Sequence, residues 1–67
     1  MTVESATFFS RNLSSAEYDT DTRALTITFS RGDEYTYLGV PPEVWQGLTT
    51  AFSAGEYFNL NIRGIYG

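Results

Sequence analysis

The run Arg23-Ala24-Leu25-Thr26-Ile27-Thr28-Phe29, continued by Ser30-Arg31-Gly32-Asp33 and Glu34-Tyr35-Thr36-Tyr37-Leu38, carries the clearest pattern in this 67-residue chain. Leu25, Ile27 and Phe29 alternate with Ala24, Thr26 and Thr28. A period of two belongs to a strand with one buried face and one wet face. Threonine suits the wet face because it is both β-branched and polar. Gly32 adopts positive φ without steric penalty, so residues 30–33 read as a hairpin turn. In the returning strand Tyr35 and Tyr37 share one face, and Thr36 and Leu38 share the other. Leu38 and Val40 make that second face apolar too, so both faces of the strand want cover, the second from another subunit or from the N-terminal segment.

Upstream, residues 13–18 have moderate strand character. Asp19-Thr20-Asp21-Thr22 is a cluster of turn formers whose side chains bond local amides. Thr7-Phe8-Phe9 is the one strongly apolar patch of the opening. It fits a short strand, a pin onto the core, or contact with a partner chain; residues 1–7 read as flexible or interface-forming. Downstream, Pro41 and Pro42 end the sheet and suit the first turn of a helix. Val44, Leu48, Ala51 and Phe52 then fall at i, i+4, i+7 and i+8 and predict one apolar stripe, with Trp45 beside it. Gly47 inside this helix costs about 1 kcal/mol against alanine, which points to a close approach of the backbone. Ser53 with Glu56 fits a capping box at the start of a second helix. That helix is expected over 56–66, with Phe58, Ile62 and Ile65 buried and Asn59, Arg63 and Tyr66 on a neighbouring face.

Strands first and helices second, with short links, predict one α+β domain over 1–67. The expected architecture is a small antiparallel three-stranded sheet (an N-terminal strand, the Leu25 strand and the Tyr35 strand) followed by two short helices packed on one face.

Composition removes whole classes of function. The chain has no cysteine and no histidine, which excludes disulfides, thiolate metal sites and the commonest acid–base group. With no lysine either, a serine or threonine nucleophile lacks its usual base. Asp19 with Asp21 and Asp33 with Glu34 fall in turn-like segments, where carboxylates stay solvated rather than acquiring the shifted pKa of general acids. The chain therefore reads as non-enzymatic, without cofactor or metal. No apolar run approaches the ~18–20 residues that cross a bilayer, and the opening lacks the basic and apolar regions of a signal peptide, so a cytoplasmic protein is expected. Eight acids against four arginines give a net charge of −4, which disfavours duplex binding. Stacking of a few unpaired bases on aromatic rings leans less on charge and survives this objection.

Ring systems and one polar pair are the strongest site candidates. Tyr35 and Tyr37 either pack under the helices with their hydroxyls at the rim, or form a stacking platform. Asn59 and Arg63, at i and i+4, project together. The bland alternative bonds Asn59 to the preceding loop and pairs Arg63 with Glu43 or Glu56. The binding set is thus Tyr35, Tyr37, Asn59, Arg63 and Tyr66. Phe8, Phe9 and Trp45 are interface candidates, Trp45 being core or an interface anchor. Eleven aromatics (five Phe, five Tyr and one Trp) are many for so short a chain and suggest a homodimer.

The run Tyr18-Asp19, Leu25-x-Ile27-x-Phe29-x-x-Gly32, Tyr35-Thr36-Tyr37-x-Gly39-Val40-Pro41, Ser53-x-Gly55-x-Tyr57-Phe58-Asn59, Ile62-Arg63 and Tyr66 resembles the KTSC domain over nearly the whole chain. That family is named for the C-terminus of certain lysyl-tRNA synthetases and also occurs as small bacterial and phage proteins. Glu17 departs from it, standing where members tend to carry a small residue, and members often continue past the equivalent of Gly67 with a short basic tail. The family has no established activity; the resemblance implies a binding module for which RNA has been suggested. Two functions follow as expectations: a module binding single-stranded RNA or a peptide, or a protein-interaction and self-assembly domain.

Overall fold

The alternation around Leu25 becomes the centre of a sheet. In a computed structural model, which describes residues 2–66, four strands form an antiparallel meander in chain order: β1 (Val3–Thr7), β2 (Leu13–Asp19), β3 (Ala24–Phe29) and β4 (Glu34–Tyr37). Two helices follow, α1 (Pro42–Thr50) and α2 (Ala54–Asn61). The architecture is α+β, as the sequence predicts, but with four strands in place of three.

The extra strand comes from the N-terminal third, which forms two strands rather than one. β1 lacks apolar alternation because it is an edge; only Ala6 is even half-buried. Glu4, opposite Tyr18 in the register, accepts a hydrogen bond from Trp45 Nε1 at 2.7 Å. A charged group tethered on the core side of an edge strand discourages pairing with further chains. β2 reads weakly for a different reason. Leu13 and Ala16 are both buried although three apart, and a register shift between Leu13 and Ser15 reconciles the parity.

One face of the sheet is the core. Leu13, Ala16 and Tyr18 of β2 with Leu25 and Ile27 of β3 pack under Trp45 and Leu48 of α1 and Phe58 of α2. Each large apolar side chain sealed there contributes about 1.5–3 kcal/mol. The other face is a polar ladder: Thr26 bonds Thr36 at 3.1 Å, Thr28 donates to Glu34 at 3.4 Å, and Glu17 is exposed. An antiparallel sheet tolerates water on such a face, so the expected cover is not needed there. The expectation that Val40 joins Leu38 on that face fails at Gly39. Its φ of +71° turns the chain, leaving Leu38 exposed and carrying Val40 to full burial. There the Val40 amide donates to the Arg23 carbonyl (3.0 Å) and its carbonyl accepts from the Tyr18 hydroxyl (2.6 Å). Tyr18 also stacks on Trp45, with ring centroids 5.4 Å apart. Trp45 is therefore sealed within one chain, which corrects its placement among interface candidates.

Both helices are shorter than their patterns. Pro42 opens α1, and the chain becomes extended at Ala51, so Phe52 lies beyond the stripe and wholly exposed. Of the predicted stripe, Leu48 is buried and Val44 half-buried, and Trp45 takes the place given to Phe52. Ser53 caps α2 by accepting from the Glu56 amide at 3.3 Å. The amides of Ile62 and Arg63 both converge on the Phe58 carbonyl, and Gly64 follows at φ +78°. This left-handed close ends the helix before Ile65, which is exposed rather than buried as predicted, while Phe58 and Ile62 are core.

Gly47 admits the Tyr57 ring: a Cβ built there would overlap the Tyr57 hydroxyl oxygen and Cζ. Gly47→Ala should therefore lower stability in urea unfolding despite a helix-propensity gain of about 1 kcal/mol. In a Tyr57→Ala background the same substitution should stabilise. A stabilising effect in both backgrounds would contradict the packing.

Candidate functional site

The helices do not cover the whole sheet. Tyr37 meets Phe58 edge-on with centroids 5.5 Å apart, and Phe58 meets Phe29 in the same way at 5.5 Å. Two residues along β4 the cover runs out: Tyr35 touches only Phe29 among the rings, at 5.7 Å, and is 54% exposed. The result is an open groove of about 510 Å³ whose apolar lining is Phe29, Tyr35, Tyr37 and Phe58.

Its rim is basic. Arg11 and Asn12 come from the β1–β2 link, Ser30 and Arg31 from the hairpin, and Asn59 and Arg63 from α2 and its close. The register brings these together, because Leu13 opposes Phe29 and so sets residues 11–12 beside 30–31. Three of the four arginines line this groove, and no acid among the described residues does. Among the described residues Arg31 pairs with Asp33 at 2.7 Å, whereas Arg11 and Arg63 pair with no carboxylate. Neither Glu43 nor Glu56 neutralises Arg63, and the Asn59 side chain makes no hydrogen bond within the described residues. Both bland readings of that pair are set aside.

Four of the five predicted binding residues therefore meet in one place. Tyr66 does not: it is half-buried against the core, because α2 ends before its turn comes round. Tyr37 combines the two readings of the tyrosines, packed under α2 yet lining the groove, whereas Tyr35 stays open. Phe8 is half-buried and Phe9 wholly exposed. Residue-by-residue reading missed Arg11 and Arg31, which only the strand register places at the site.

Burial pushes the Tyr37 phenol above its ordinary value of 10.0; neighbouring Tyr35 adds to the rise and the Arg63 guanidinium opposes it.

Comparison with known proteins fits this arrangement to a family. The KTSC domain matches residues 9–66. This chain belongs to the KTSC family. The crystal structure of a KTSC domain protein from Yersinia pestis superimposes with a TM-score of 0.91 at 33% identity, covering 98% of this chain and 93% of that one. An uncharacterized protein of Stutzerimonas stutzeri is 46% identical over 50 residues, 75% of this chain and 70% of its own length. A lysine–tRNA ligase of Nostoc punctiforme is 45% identical over 49 residues, 73% of this chain, which spans 9% of that enzyme. The residues that carry the resemblance divide physically: Tyr18, Gly39 and Val40 hold the fold, and Tyr35, Tyr37, Asn59 and Arg63 line the groove. Glu17 faces solvent on the polar side.

A raised phenol pKa stabilises the fold below pH 10, and that contribution is lost as pH climbs through the raised folded value. Arg63→Gln should move the Tyr37 titration to still higher pH, followed by phenolate absorbance or NMR. An unmoved titration would contradict a guanidinium at the phenol.

Proposed function

We propose that this KTSC domain is a non-enzymatic module that binds a short stretch of single-stranded RNA in the aromatic groove. The observation that carries the reading is the convergence of Arg11, Arg31 and Arg63 on a floor of rings whose outer member, Tyr35, is open, in a chain whose net charge is −4. Unpaired bases stack on rings at about 1–3 kcal/mol each, and guanidinium forks bond phosphate or base edges. Asn59 adds an amide that both donates and accepts. A groove this open suits a flexible strand better than a rigid duplex, whose binding needs more positive charge than three arginines. The name of the Nostoc relative, a lysine–tRNA ligase, supports RNA as the class of ligand.

Titration of a labelled single-stranded RNA of about eight nucleotides at low salt tests this. Phosphate contacts from the two unpaired arginines, Arg11 and Arg63, predict a slope of about −1.4 for log K against log salt. Tyr35→Ala should weaken binding about tenfold, the loss of one stacked base, while leaving the fold intact. No binding at high micromolar protein would overturn the reading. A change of oligomeric state in Tyr35→Ala, without any RNA effect, would instead identify a subunit interface.

A further inference from the structure

A second groove, of about 730 Å³, lies between the β1–β2 link and the α1–α2 link. Phe9 and Phe52 line it, and both are wholly exposed, each at 108% of the exposure of a free residue. Neither ring makes an aromatic contact or belongs to the core, so packing does not account for them. Arg11, Asn12 and Asn59 line both grooves, which therefore share a wall and adjoin.

We infer that the RNA strand continues from the first groove past Arg11 and Asn59 into the second, where further bases stack on Phe9 and Phe52. This rests on the RNA reading of the first groove. The lining of the second groove and its charge favour a nucleic-acid strand over a second copy of the chain. The lining around the two rings mixes Phe8, Ala51 and Ala54 with the hydroxyls of Thr7, Ser10 and Ser53, whereas the core of a subunit interface is apolar and closely packed. Those hydroxyls suit the sugar and phosphate of a strand whose bases lie on the rings. Arg11 makes no ion pair among the described residues and stands at the junction, where a phosphate between the two stations would sit. Glu56 is the one acid in this lining, so the path stays less acidic than the chain as a whole.

The test compares oligouridylates of about three and about eight nucleotides by fluorescence anisotropy, with the parent chain, Phe9→Ala/Phe52→Ala and Phe9→Leu/Phe52→Leu. The leucine pair keeps apolar bulk but removes the rings. Both positions are exposed, and circular dichroism confirms the fold. The inference predicts that the parent binds the longer RNA at least tenfold more tightly. Both double variants should lose about that factor for the longer RNA and bind the shorter one as the parent does. Unchanged binding of both lengths by the variants would overturn the continuation while the first groove stands. Binding of neither length by the parent would overturn both. A shift from dimer to monomer in the variants, with RNA affinity unchanged, would assign the second groove to self-association and overturn the inference.

Discussion

The buried contact between the Tyr18 hydroxyl and the Val40 carbonyl, 2.6 Å long, fixes where the sheet ends and the helices begin. Gly39 turns the chain at a φ that disfavours any side chain, and Val40 drops into the core. Its amide and carbonyl are then out of water and need partners. Arg23 supplies one from the β2–β3 turn, itself held at φ +62°, and Tyr18 supplies the other. Burial raises the Tyr18 phenol above its ordinary pKa, so it stays a donor throughout the physiological range. Trp45 closes the arrangement by stacking on Tyr18 and donating to Glu4. With Val40 fixed, Pro41 and Pro42 set the direction of α1, and α1 with its short link sets α2.

The groove is what this placement leaves uncovered. The helices begin at the Tyr18–Trp45 end of the sheet, and two helices of 9 and 8 residues reach only as far as Phe58 over Phe29 and Tyr37. Tyr35 lies beyond that reach. The opposite end of the sheet, where Tyr35 stands, receives the β1–β2 link and the β3–β4 hairpin, and with them Arg11 and Arg31. Glu17 and Glu34 belong to the solvent face, and Asp33, at the rim, is held by Arg31. Exposed charges more than about 10 Å apart are largely screened at ordinary ionic strength. A net negative chain can therefore still present a locally basic rim.

The sequence makes β3 legible because Leu25 and Ile27 are buried on one face and threonines line the other, and Gly32 marks the hairpin that returns to β4. Pro42 and Gly47 also declare their roles locally, as a helix start and a close approach. What escapes is what depends on distant partners. β1 is an edge whose inward group is a glutamate, bonded to a tryptophan 41 positions away. The bulge in β2 breaks the parity that would have marked Leu13 and Ala16 as one face. The left-handed close after α2 stops a pattern that otherwise runs on to Ile65 and Tyr66, and that is why Tyr66 leaves the predicted site. Tyr35, Tyr37, Asn59 and Arg63, singled out by their chemistry, line one groove. Arg11 and Arg31 join them only through register, which a single sequence does not specify.

Amide exchange at Val40, measured by NMR in the parent chain and in Tyr18→Phe, tests the organising contact most directly. The Val40 amide should exchange only through global unfolding in the parent. Tyr18→Phe should lower global stability by about 1–3 kcal/mol, the cost of leaving a buried carbonyl without its donor. Exchange of the Val40 amide at the rate of an open loop, or a Tyr18→Phe chain as stable as the parent, would contradict the account.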